Sequence, residues 1–288
     1  MLRQGARIGL IATSHRYFDE PYAAGKAWLE SQGYKWVEFG LGEPHRYFAS
    51  TDEQRLSGLV QAFTDPQIDA VWAIRGGSGV TRLLPHVNIE AFRPVPLIGF
   101  SDLTPLLDRL GRAGRPAIHG PVVHSLGRTD ADSLAHLADL LAGRSTAPLV
   151  GATMVPGRVT APIVGGNLCM VASTCGTPDQ LDGSGRIVLL EEIGETPYKV
   201  DRMLTQLVQA GVFRGVAGVA LGQFTGCAPP KGVDWTLHHV FAEHLSDLGV
   251  PVVTDLPIGH GAQNRAFALH QTASIHQDTL TLSPPSRT

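Results

Sequence analysis

Cysteine is scarce in this chain: Cys169, Cys175 and Cys227 are the whole complement among 288 residues. Three thiols at irregular spacing build neither a disulfide framework nor a zinc knuckle. An odd, small number fits a reducing compartment. Long apolar runs are also missing. The N-terminal run from Ile8 to Ala12 is too short for a secretion signal or a membrane span, and no cleavage site follows it. A cytoplasmic location is the resulting expectation. Neither sign of charge is in excess: 23 Lys and Arg stand against 26 Asp and Glu, for a net charge of −3. That balance gives no electrostatic case for nucleic acid or a membrane surface as partner. The twelve histidines show no pairs at metal-ligand spacing with carboxylates, so neither metal nor cofactor is expected. There is no internal repeat and no low-complexity tract.

Hydrophobic residues make up 43% of the chain and charged residues 17%, enough to bury a full core. Short apolar runs alternate with helical periodicity along the first half. RIGLIA (7–12), YKWVEFG (34–40), IDAVWAI (68–74) and VPLIGF (95–100) read as strands. Helices are predicted over 21–32, over Thr51 to Phe63 with Thr51 and Gln54 at capping-box spacing, from Gly79 to just before Pro85, and after Phe100. Pro116 to Val123 reads as a further strand and Ser133 to Leu141 as a further helix. This alternation predicts an α/β domain with a parallel sheet covered on both faces, spanning 1–143. Ligands bind such sheets beyond the C-terminal ends of the strands.

Residues 144–160 (RSTAPLVGATMVPGRVT) are turn-rich and read as a linker. Residues 161–288 carry apolar runs such as RIVLLEE and GVAGVALGQF, many glycines, and helices near 198–211 and 235–247. They read as an α+β domain with a small sheet. The tail SPPSRT reads as frayed.

Four fragments could carry chemistry. Ser101 sits between the apolar PLIGF and the helix DLTPLLDRL. A sharp strand-to-helix turn there lifts the hydroxyl into the rim cleft and aims helical N–H groups at the same place. The alternative is a plain helix N-cap. Arg75-Gly76-Gly77-Ser78-Gly79 follows a strand and lets the backbone approach a ligand. It fits a phosphate cradle, an oxyanion-donor loop or an ordinary tight turn, but lacks the lysine of a P-loop. Glu191 ends the run RIVLL, where a carboxylate can fix a histidine tautomer. Glu192 should point the other way. His260, bracketed by Gly259 and Gly261 and followed by Asn264, is small-flanked and reachable. His119 precedes Gly120-Pro121 and reads as structural support for the site. Together the fragments supply a nucleophile, a base, an orienting carboxylate and an amide-rich loop.

The segments STDEQRLSGLVQAFTDPQIDAVWAIRGGSGVTRLL, LIGFSDLTPLL, AIHGP, PIVGGNL, LLEEIGETPYKVDRMLTQL and PIGHGAQN run in order across residues 50–264. In these the chain resembles the LD-carboxypeptidases, the serine peptidase family of muramoyltetrapeptide carboxypeptidase. The resemblance implies a triad of Ser101, Glu191 and His260 and an oxyanion hole from the amides of Gly77 and Asp102. It implies a C-terminal domain with a small barrel-like sheet, a site between the two domains, and a homodimer. It further implies removal of the terminal D-Ala from cytoplasmic murein tetrapeptides, a small peptide substrate with a free C-terminal D-amino acid. A carboxypeptidase must bind that carboxylate, and Arg75 is the candidate. Three places depart from the family pattern: Ser78 stands where an aromatic is usual, Ala12-Thr13-Ser14 lacks a proline, and RAFALHQTASI lacks the usual Leu-Pro-x-Gly. Ser78 and the first loop should line the cleft. Relatives that confer immunity to microcin-type peptide–nucleotide conjugates suggest a second activity. A catalytically silent peptide-binding protein is a third reading.

Overall fold

Two sheets organise the molecule, and the chain crosses between them more than once. The computed structural model describes residues 2–284; the tail beyond them, part of the predicted frayed end, lies outside the described residues. The first sheet holds five parallel strands: β1 (Arg7–Ile11), β2 (Lys35–Phe39), β3 (Ala70–Ala73), β4 (Leu97–Gly99) and β5 (Ala117–His119). Helices α1 (Asp19–Ser31), α2 (Asp52–Thr64), α3 (Val80–Leu83), α4 (Thr104–Arg112), α5 (Val123–Leu126) and α6 (Ala131–Leu141) connect or follow them.

Side-chain alternation sends each strand's residues to two cores. Ile8, Leu10 and Trp72 pack with Tyr22, Leu29, Val123 and Leu137 from α1, α5 and α6. Ile11, Val71 and Ala73 pack with Leu59, Phe63, Leu106 and Leu107 from α2 and α4. Both faces are therefore dry, which is why these strands read as continuous apolar runs. The capping box predicted at Thr51 is present: Thr51 Oγ1 accepts from Gln54 N–H, and the Gln54 side chain accepts from Thr51 N–H.

The second sheet has eight strands. They are β6 (Leu149–Val150), β7 (Ala152–Val155), β8 (Arg158–Asn167), β9 (Ile187–Ile193), β10 (Gly218–Thr225), β11 (Val252–Thr254), β13 (Thr272–His276) and β14 (Thr279–Leu282), in the order β6-β14-β13-β8-β9-β10-β11-β7. Its centre, β8 to β11, is parallel, with α7 (Leu168–Ser173), α8 (Pro197–Ala210) and α9 (Leu237–Leu245) as crossovers. β6 and β7 are separated only by Gly151, yet they occupy opposite edges of the sheet. The sheet therefore curls until its edges nearly meet, forming an almost closed barrel. At Gly151 a Cβ would fall 2.0 Å from the Thr254 carbonyl oxygen, so only glycine fits at the seam.

Segment 144–160, read from sequence as a linker, thus contains β6, β7 and the start of β8. β6 and β7 are short, and much of their surface is exposed, so they leave no periodic signature. One strand falls outside its expected half altogether. β12 (Phe267–Ala268) leaves the second half and pairs antiparallel with β5, becoming an edge of the first sheet. The interior of the second sheet joins the α2/α4 core of the first: Ile163, Leu189, Val253 and Ile275 belong to the same buried cluster as Phe63 and Leu106.

Candidate active site

Ser101 follows β4 by two residues and has φ = 62°, a left-handed backbone that costs a non-glycine residue about 1–3 kcal/mol. A short 3-10 turn (Ser101–Leu103) leads from it into α4. The Ser101 side chain caps neither of these helices, so the plain N-cap alternative does not describe it. Four hydrogen bonds hold the turn in its strained form. Thr104 Oγ1 donates to Ser101 O at 2.7 Å and accepts from Asn167 N–H at 3.1 Å, tying the turn to the end of β8. The buried Asp102 carboxylate accepts from Ser14 Oγ at 2.6 Å and from Val80 N–H at 3.0 Å. It therefore gathers the first loop, the glycine-rich loop and the serine turn into one unit. Burial pushes the Asp102 carboxyl up, and the Ser14 and Val80 hydrogen bonds only partly counter it.

The glycine-rich loop lies against the serine. A Cβ at Gly76 would sit 3.0 Å from Ser101 Cβ and 3.2 Å from its Oγ. Gly77 and Ser78 are exposed at the loop tip. The N–H of Asp102 opens a helical turn, where amides lack intrahelical partners. The Asp102 N–H is thus a backbone donor directly beside the nucleophile.

Glu191 is fully buried on β9. Its Oε2 lies 2.7 Å from Nδ1 of His260. His260 rides on the loop between β11 and β12, and its ring packs 4.6 Å from that of Phe100, the residue before Ser101. The Glu191–His260 pair is therefore set against the residue that precedes the serine. Ser101 Oγ makes no hydrogen bond to His260 here; the two are neighbours through Phe100. Burial alone would raise the Glu191 carboxyl, but His260 and then His119 outweigh it and hold the group well below the usual carboxylate range. Glu192 does face the other way. It accepts from Asn167 Nδ2, Cys169 N–H and Ile193 N–H, and burial leaves its carboxyl raised.

Arg75 is half-buried. Its guanidinium donates to the Arg16 carbonyl and lies 5.1 Å from the Phe18 ring centroid. Among the described residues it makes no ion pair, and the nearby Arg128 and Arg16 add to the effect of burial in depressing it. His15 packs against Gly77 and 5.3 Å from the Tyr47 ring. Phe18 and Tyr47 are both about half exposed, at 54% and 52%. Aromatic surface thus stands near the loop even though position 78 is serine. Sequence reasoning missed Phe100, Thr104, Asn167 and His15. Asn167 alone left a trace, as an N-cap residue opening α7 after a strand. Among the described residues, no helix is long and apolar enough to cross a membrane.

Residues 8–120 match the LD-carboxypeptidase N-terminal domain and residues 160–275 the LD-carboxypeptidase C-terminal domain. The chain belongs to the LD-carboxypeptidase family, a family of peptidases. It is 39% identical over 293 residues to the murein tetrapeptide carboxypeptidase of Pseudomonas aeruginosa, covering 95% of this chain and 94% of the relative. It is 30% identical over 290 residues to a probable murein peptide carboxypeptidase of Bacillus subtilis, covering 96% and 90%. The crystal structure of muramoyltetrapeptide carboxypeptidase from Oxalobacter formigenes superimposes with a TM-score of 0.87 at 28% identity, covering 98% of this chain and all of that one. The microcin C7 self-immunity protein MccF, solved with aspartyl sulfamoyl adenosine, shares the fold at a TM-score of 0.87 and 20% identity, covering 98% and 97%.

Proposed function

We propose that this protein is a serine LD-carboxypeptidase that releases the terminal D-Ala from murein tetrapeptides. The observation that carries the reading is the buried Glu191–His260 pair at 2.7 Å, delivered from the second sheet onto the Phe100 ring beside a strained Ser101. A structural ion pair would not need a left-handed serine next to it.

In this reading His260 Nδ1–H donates to Glu191 Oε2, which leaves Nε2 free to take a proton. Substrate binding draws Ser101 Oγ and Nε2 into hydrogen-bond range, since such contacts are often long before substrate arrives. Oγ attacks the carbonyl carbon of the bond to D-Ala while Nε2 removes its proton. The N–H groups of Gly77 and Asp102 hold the oxyanion, each contributing on the order of 3 kcal/mol. The imidazolium then protonates the leaving amine, D-Ala departs, and water releases the acyl group by the reverse sequence. The reading includes a cytoplasmic murein-recycling role, a homodimer, and no cofactor. The deciding experiment is incubation with L-Ala-D-Glu-meso-diaminopimelate-D-Ala. Stoichiometric D-Ala release is expected, and no release by folded protein would remove the proposal.

Arg75 is assigned to the substrate carboxylate because it is a guanidinium without an ion-pair partner beside the loop, with Ser78 lining the same cleft. Losing a charged hydrogen bond costs about 1.5–3 kcal/mol. Arg75→Ala should therefore raise KM for the tetrapeptide roughly tenfold to a hundredfold with a smaller change in kcat. The check is a peptide ending in D-Ala amide. Wild type should discriminate against it, and the variant should not.

A second reading is hydrolysis of an aminoacyl–nucleotide conjugate, favoured by the exposed Phe18 and Tyr47 rings, on which a base could stack. An aminoacyl-adenylate analogue assayed beside the tetrapeptide separates the two.

A further inference from the structure

His119 occupies the end of β5, in register with Gly99 on one side and Phe267 on the other. Its side chain is fully buried, and neither ring nitrogen has a hydrogen-bond partner. The ring stacks on Phe267 at 4.8 Å and meets Phe100 edge-on at 5.7 Å. One other buried polar atom nearby is also unpartnered: Oε1 of Glu191. It lies 4.0 Å from His119 Nε2. Buried polar atoms without partners are uncommon and costly, and here a donor and an acceptor face each other about 1 Å beyond hydrogen-bond range. If packing alone governed this position, an apolar ring or leucine would fill the space between two phenylalanines without that cost.

We propose that His119 is a positioning residue: its Nε2–H donates to Glu191 Oε1 in the working enzyme, so that the carboxylate is gripped between two imidazoles and presents Oε2 to His260. The inference rests on the triad reading of Ser101, Glu191 and His260. Glu191 has no backbone donor in the described structure, so His260 alone would leave the carboxylate free to rotate about its terminal bond. A second donor on the opposite oxygen fixes that rotation, and with it the plane in which His260 must lie. Outer partners of this kind, which act through the group that touches the reacting atoms, typically contribute about tenfold to a hundredfold.

The test compares His119→Phe, which keeps the ring and loses both nitrogens, with His119→Gln, whose Nε2 can reach the same donor position. His119→Phe should lower kcat about tenfold or more with KM within about twofold, and His119→Gln should recover most of the loss. The proton resonance of His260 Nδ1–H, recorded without substrate, should shift in the Phe variant and stay near its wild-type position in the Gln variant. Wild-type kcat and an unmoved resonance in His119→Phe would overturn the assignment. So would equal impairment of the two variants, which would make the effect one of packing. If His119→Phe fails to fold, the resonance and kcat of His119→Gln decide alone: both near wild type support the donor role, and both lost refute it. The resonance needs no turnover, so it reports on His119 even if Ser101→Ala remains active and the triad itself is wrong.

Discussion

Ser101→Ala is expected to lower kcat for D-Ala release at least 10⁴-fold or so, the scale set by loss of the nucleophile in other serine triads. A serine-reactive phosphonate should label wild type and leave the variant untouched. The fold should persist, because Ser101 Oγ is not among the bonds that hold the turn. Those bonds come from the Thr104 hydroxyl and from the Asp102 carboxylate with its donors Ser14 and Val80. Ser101→Gly gives a sharper contrast. Glycine accepts φ = 62° without the strain that serine and alanine both carry there, so stability should rise by about 1 kcal/mol while activity vanishes. A variant that is more stable and inert would show that the strained backbone is kept for the reaction. Near-normal turnover by folded Ser101→Ala would remove Ser101 as nucleophile.

Glu191→Gln should be nearly as severe in kcat, on the order of 10⁴-fold by analogy with the amide variant of a Ser-His-Asp triad. The cause is different. An amide NH₂ facing His260 Nδ1 makes that nitrogen the acceptor, which moves the ring proton to Nε2, where it points at the serine. The base is then blocked, and the imidazolium that forms during attack loses its counter-charge. Stability offers an independent check. Glu191 has its folded-state pKa lowered, so its ionised form stabilises the fold above the ordinary glutamate value of 4.5, and this contribution fades as pH falls below that value. The difference in melting temperature between wild type and Glu191→Gln should be largest near neutrality and should shrink in acid. A gap that widened on acidification would mean that the carboxylate is not held ionised by its imidazole neighbours.

Much of the architecture was legible because burial on both faces writes continuous apolar runs into β1, β3 and β4, and because Thr51 with Gln54 announces a helix start. Ser101 was legible as a hydroxyl at a strand-to-helix turn. Its left-handed φ was not, since nothing about serine demands one. Glu191 and Glu192 could be sorted by strand alternation, and the structure keeps that sorting. Arg75 was legible as a cation beside glycines, but its reach toward Arg16 and Phe18 depends on the loop that follows the neighbouring strand β1. Two features left no local trace. β6, β7 and β12 are each four residues or fewer, too short for a period to show. The approach of His119 to Glu191 joins positions far apart in the chain through two different sheets, and no spacing rule spans that distance.

The return of β12 to the first sheet has a bearing on how the cleft can move. The segment that carries His260 is anchored in the second sheet at Thr254 and in the first at Phe267. It works as a strap buckled at both ends. The two sheets cannot be drawn far apart there without unfastening backbone pairing on one side, so in the proposed reaction a peptide would enter past the rim loops that carry Tyr47 and Ser78. The loop that carries His260 therefore stays tied to both sheets.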